Sequence, residues 1–161
     1  MGADLLADQL MYNHRVLQMN VDGLTHDDSL AAPTAGGNCI NWVVGHAVST
    51  RNGFLQLLGQ GPIWDADRAK LYGRGSEPVT AENAVPLDEI LADFDTSQKT
   101  LVEALQALSD DDLAAKTPMS FFKGDAETVG SAAAAFIFHE SYHLGQTGVL
   151  RRIAGKDGAI G

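Results

Sequence analysis

Apolar residues recur at helical spacing along four long stretches of this chain, and no segment shows the period-two alternation of a half-buried strand. In the first stretch, Asp4 to Leu24, residues Leu6, Leu10, Leu17, Val21 and Leu24 fall on one stripe, which predicts a helix with one buried face. His14 lies within that stripe, where a histidine is usually a hydrogen-bonded core residue. Thr25 to Gly37 carries Pro33, Gly36, Gly37 and two aspartates and reads as a connector, with His26 in it expected to be solvated. The second helix is predicted from Asn38, an N-cap type following two glycines, to Leu58, with Gly59 as its stop. Cys39, Trp42, Val43, His46, Thr50, Gly53 and Leu57 share a face. Ser49, Thr50 and Gly53 are small, so they leave room beside His46 for a ligand or for another helix.

The third helix is predicted over Leu87 to Leu108 from the stripe Leu87, Leu91, Phe94, Leu101, Leu105 and Leu108, with Asp88 and Glu89 in the first turn, where the helix dipole favours them. A short capped helix is expected at Ser109 to Leu113, then a loop marked by Pro118 and Gly124. The fourth helix is expected from Thr128 to Ala154, with Gly155 as its stop, and contains the unbroken alanine run Ala132 to Ala135. Between the second and third helices, Gly59 to Pro86 is irregular apart from a helical turn or two at Ala66 to Tyr72. A connection of that length crosses the molecule or covers a site. Together these predict an all-α chain, an antiparallel four-helix bundle folded as a single domain over residues 1–161.

Composition narrows the function classes. The chain has 161 residues, of which 45% are hydrophobic, enough to build a core without staples. Its net charge is −10 and its pI about 4.7, so it repels phosphate backbones, and no basic patch is dense enough to reverse that. The densest cationic group, Arg151, Arg152 and Lys156, reads as dipole partners or surface charge at a helix end. No nucleic-acid partner is expected. A single cysteine, Cys39, rules out an internal disulfide and fits a reducing cytoplasm. Met1-Gly2-Ala3-Asp4 lacks a basic start and an apolar signal core, and no apolar run approaches the roughly 20 residues of a membrane span, so no membrane association is expected.

The chemistry sits in His139-Glu140-Ser141-Tyr142-His143, inside the fourth helix. Residues i and i+4 are neighbours on one helix face, about 5–6 Å apart at Cβ. Two neutral imidazoles there can converge on one ion at about 2.0–2.1 Å for zinc. His46 on the second helix is the candidate third ligand, which leaves one position open for water or substrate. Three imidazoles suit zinc, and nickel, iron or manganese also accept nitrogen ligands. Ligand histidines normally donate their second N–H to a carboxylate or carbonyl. Asp95 and Glu140 are candidates, although both are expected on solvated faces. The string also matches His-Glu-x-x-His, in which zinc proteases use Glu as general base. The context does not fit: nothing after His143 is Glu or His, Gln146 and Val149 stand where the longer protease motif has Gly and His, and no strand is read that could hold a peptide.

On Asn41-Trp42-Val43-Val44-Gly45-His46, on His139 to Gln146 running into Leu150-Arg151-Arg152, and on the Leu108 to Leu113 turn, the chain resembles the DinB/YfiT-like superfamily of metalloenzymes over nearly its whole length. That family's metal triad is one His from the second helix plus a His-x-x-x-His pair from the last, which falls on His46, His139 and His143. The resemblance implies an up-down-down-up DinB-like bundle with a long crossover between helices 2 and 3, in place of the simple antiparallel order, and often a homodimer. It also implies a metal-dependent transferase or isomerase that uses a low-molecular-weight thiol on a small-molecule substrate, with zinc or nickel as the ion. The ion would bind the thiol and lower its pKa. Two other functions compete on the same bundle. One is a hydrolase that activates water at the open position. The other is a non-enzymatic stress-response or binding protein.

Overall fold

The computed structural model describes residues 2–34, 36–119 and 127–160. Four long helices dominate it: α1 (Gly2–Val21), α3 (Ile40–Leu57), α5 (Leu87–Gln106) and α7 (Val129–Ile153). Short helices α2 (His26–Ser29), α4 (Ala66–Leu71) and α6 (Asp110–Ala114) lie in the connections. One departure from an all-helical reading is a two-residue antiparallel ladder, β1 (Lys116–Thr117) with β2 (Glu127–Thr128), in the register Lys116 to Thr128 and Thr117 to Glu127. Two residues per strand are too few for alternation to register in a sequence. The Gly124 expected in that loop lies outside the described residues.

Most of the boundaries follow local chemistry. Ser109 and Thr128 each close a capping box, with Asp112 and Ser131 respectively. Gly59 and Gly155, with φ of +72° and +78°, end α3 and α7 in the left-handed conformation that glycine adopts without strain. Two local readings need correction. Cys39, not Asn38, is the N-cap of α3, and its side chain makes no capping bond. The first connector contains α2, started by a Thr25–Asp28 capping box, so His26 is half-buried rather than solvated, and its Nδ1 accepts the Leu87 N–H at 3.2 Å.

Each long helix packs on two others, α1 and α3 both lying against α5 and α7. Side-chain partners give the directions. Asn13 reaches Ile137 and Glu140 while Asn20 reaches Thr147, so α1 and α7 run parallel. His14 meets Asp95 and His26 meets Leu87, so α1 and α5 are antiparallel. Asn41 bonds Val85 just before α5, and Arg51 bonds Phe94 within it, so α3 and α5 run parallel. Consecutive long helices that run parallel overturn the simple antiparallel order. The chain must return along the molecule between them, and residues 58–86 do this.

That returning segment explains why α3 is buried on every side from Ile40 to Val48, rather than on one face as its stripe predicted. Trp64 and Tyr72, 3% and 0% exposed, press on α3 from outside. Tyr72 can do so because Gly45 has no side chain: a Cβ there would lie 2.3 Å from the Tyr72 ring. The core falls into two apolar clusters. One is built around Val43, Val44, Ile90, Phe94 and Leu144, the other around Leu10, Phe54, Leu101, Leu105 and Ile137.

Candidate metal centre

His46, His139 and His143 come together between α3 and α7. Ring centroids lie 5.3 Å apart for His46 and His139, 4.6 Å for His46 and His143, and 4.5 Å for His139 and His143. One ligand nitrogen from each lies within 4.8 Å of the other two. Nitrogens sharing a tetrahedral ion sit about 3.3 Å apart, so small side-chain rotations complete the set. Antiparallel packing of α3 on α7 makes the convergence: one turn of α7 presents two rings, and the facing turn of α3 presents the third.

Each helper residue around His46 has a physical task. Its Nδ1–H donates to the Tyr72 carbonyl at 2.7 Å, which fixes the tautomer and leaves Nε2 as the ligand atom. Trp42 stacks on the same ring, with centroids 4.6 Å apart and planes 8° from parallel, and its indole N–H donates to Ser76 Oγ at 3.0 Å. Asn41 accepts the Tyr72 hydroxyl at 2.9 Å and donates to the Val85 carbonyl at 2.9 Å. Asn41, Trp42, Gly45 and His46 thus all act on the returning segment or on the metal candidate. His143 Nδ1 lies 3.4 Å from Gln146 Oε1.

The three imidazoles are held neutral. Burial lowers the pKa of His46 and of His143. For His139, burial first, then the neighbouring His143 and His46, bring it down to about 4. Neutral imidazole is the form that donates a lone pair to a metal. The donor set therefore fits a borderline divalent ion with an open coordination position. The histidines open on a cleft of about 770 Å³, walled by Trp42 and Thr50 of α3, Tyr142 of α7, and Arg74 to Ser76 of the returning segment.

The two carboxylates considered as partners do other work. Asp95, with its side chain 60% exposed, bonds His14 Nε2 at 2.6 Å, and His14 lies over Phe94. Glu140 is not solvated but 5% exposed, clamped by Arg51, which donates from Nε to Oε2 at 2.6 Å and from one terminal nitrogen to Oε1 at 3.0 Å. Arg51 also donates to Phe94 O, Ser97 Oγ and Gln98 Oε1, so all five of its N–H groups have partners. Asn13 donates to Glu140 Oε1 at 3.3 Å. A Glu held in this way is no general base, which removes the protease reading. No motif marks Arg51, yet the sequence carries a signal for it. It is the lone charged residue of α3, and Glu140 is the lone acidic residue of α7.

The profile of the DinB superfamily matches residues 9–147. Among solved structures, the fold is similar to that of a conserved protein from Enterococcus faecalis, with a TM-score of 0.73 and 16% identity over 95% of this chain and 97% of the other. Comparison with curated proteins gives no match. No helix among the described residues is long and apolar enough to cross a membrane.

Proposed function

The chain belongs to the DinB superfamily, and from that premise we propose that His46, His139 and His143 hold one divalent metal ion in an enzyme that joins a low-molecular-weight thiol to a small electrophile. The observation that carries this reading is the convergence of three neutral imidazoles at the floor of an open cleft. On the same reading the four packed helices and the 58–86 segment are the bundle and crossover of that superfamily. Residues 1–161 form one domain of a cytoplasmic homodimer, without nucleic acid or membrane as partner.

When bound, the ion, zinc or nickel, supplies a Lewis-acidic centre that lowers the pKa of a thiol. The chain's own residues do the rest. The Tyr72 carbonyl and the Trp42 ring hold the His46 imidazole in one orientation, so its Nε2 is preorganised. Burial keeps all three rings deprotonated near neutral pH, so a metal need not compete with protons. Arg74, Gly75 and Ser76 wall one side of the cleft. Among the described residues no carboxylate is available at the triad for proton transfer, since Glu140 is engaged by Arg51, and the thiol proton leaves to solvent.

The test is to incubate protein loaded with zinc or nickel with a thiol and an alkylating electrophile, then separately with simple esters. The account expects thiol-dependent turnover that disappears in His46→Ala. Ester cleavage without thiol would instead establish the hydrolase. No turnover of either kind, with the metal still bound, would favour a binding protein.

A further inference from the structure

We propose that the histidine cleft takes a substrate with a carboxylate-bearing tail, and that Arg74 receives that carboxylate. The inference deepens the thiol-transfer reading and rests on it only for the reacting end of the molecule.

The charge of the cleft is opposite to that of the protein. The chain carries 21 acidic residues against 11 basic ones. A wall taken at random would be expected to include an aspartate or glutamate. Among the described residues that line the cleft there is no carboxylate, and Arg74 is the one permanently charged group. Apart from Gly75 and the three candidate ligands, the rest of the lining is Asn38, Trp42, Thr50, Ser76 and Tyr142.

Arg74 is also held in place by its backbone. Ser76 N–H donates to the Gly73 carbonyl at 3.1 Å, closing a β-turn with Arg74 and Gly75 at its corner, and Gly75 has φ +78°, as the third position of a type II turn requires. Both ends of the turn are tied to the metal candidate. Two residues before Arg74, the Tyr72 carbonyl holds His46; two residues after it, Ser76 Oγ receives the Trp42 indole. The arginine therefore sits at a set distance from the histidines. A second groove of about 540 Å³, which Arg74 also lines, brings Asp67 and Glu77 nearby, yet Arg74 closes no ion pair among the described residues. Its planar fork remains available for a carboxylate, which it can bind through two parallel hydrogen bonds.

The probes are mercaptohexanoate and mercaptohexanol, equal in length and differing in charge, titrated into cobalt-loaded protein. The readout is the sulfur-to-cobalt charge-transfer absorption. The account expects the carboxylate to bind about tenfold tighter, the lower end of what a charged hydrogen bond contributes. Added salt should erode the advantage. Arg74→Gln should abolish it, while Arg152→Gln, an exposed arginine far along α7, should leave it intact. Equal binding of both thiols, or a preference that survives Arg74→Gln, overturns the inference and leaves thiol transfer standing. In a second arm, hexanoate and hexanol are titrated into metal-free protein and followed by the Trp42 indole resonance. If sulfur never reaches the cobalt, the thiol reading falls and this arm decides alone. A hexanoate preference lost in Arg74→Gln upholds the inference; no preference overturns it.

Discussion

Two polar groups lie side by side between α3 and α7, and they are finished in opposite ways. Arg51 and Glu140 form a buried ion pair, with side chains 2% and 6% exposed. Every donor of Arg51 and both oxygens of Glu140 are engaged, by groups from α1, α3, α5 and α7. One turn away, the three histidines also face inward, but His46 spends one nitrogen on Tyr72 and turns the other toward the cleft. The first group is closed on itself and has nothing left to offer a ligand. The second is fastened from behind and open in front, as a binding site must be. Burial alone would not distinguish them; the count of unspent donors and acceptors does.

The largest loss is expected at the closed group. Arg51→Met leaves Glu140 as an uncompensated buried charge and is expected to cost about 3–5 kcal/mol, read as a lower urea midpoint. The double variant Arg51→Met with Glu140→Leu removes both charges and should recover most of that loss. If the single variant costs nothing, the layer is not closed. A smaller effect is expected behind the open group. Gly45→Ala drives a methyl into the Tyr72 ring, which is itself 0% exposed and tied by its hydroxyl to Asn41 and Val85. Overpacking of this kind costs about 1–3 kcal/mol. Because Tyr72 also carries the carbonyl that holds His46, metal affinity should fall along with stability.

A pH titration sharpens the contrast. The histidines have pKa values lowered in the folded state from an ordinary 6.5, His139 to about 4. Between those values the unfolded chain binds more protons than the native one, so stability falls as pH drops through that window and is fully present above it. Metal-free protein should therefore lose urea resistance from about pH 7 toward 4, and His139→Ala should flatten the slope. An unchanged slope would mean that the rings are not desolvated as described. The smallest effect belongs to the exposed pair: Asp95→Asn, facing His14, should change stability by less than about 1 kcal/mol and leave metal uptake untouched.

Much of this was legible in the chain itself. The His139/His143 spacing, the helix stops at Gly59 and Gly155, the cap at Ser109 and the start of the last helix at Thr128 all arise from local rules acting within a few residues. What escaped depends on contacts distant in sequence. Glu140 reads as a surface residue until Arg51 is placed opposite it, 89 positions away. The parallel course of α3 and α5 was not visible in either helix, because a stripe reports which face is buried and not which way the neighbour runs. Tyr72, in a stretch with almost no periodicity, gave no sign that its carbonyl fixes a histidine or that its ring needs the empty space at Gly45. The sequence clue to the Arg51–Glu140 pair is a lone charge in an otherwise uncharged helix.

On the proposed function these three rings grip one cation. The most direct measurement of this is metal content, by elemental analysis, of protein purified without a metal column and reconstituted with zinc or nickel, for the native chain and for His46→Ala, His139→Ala and His143→Ala. The account predicts one ion per chain in the native protein, a melting temperature that rises when the ion binds, and loss of both in each variant while the metal-free fold persists. A stoichiometric ion retained in His46→Ala, with its full thermal increment, would contradict it.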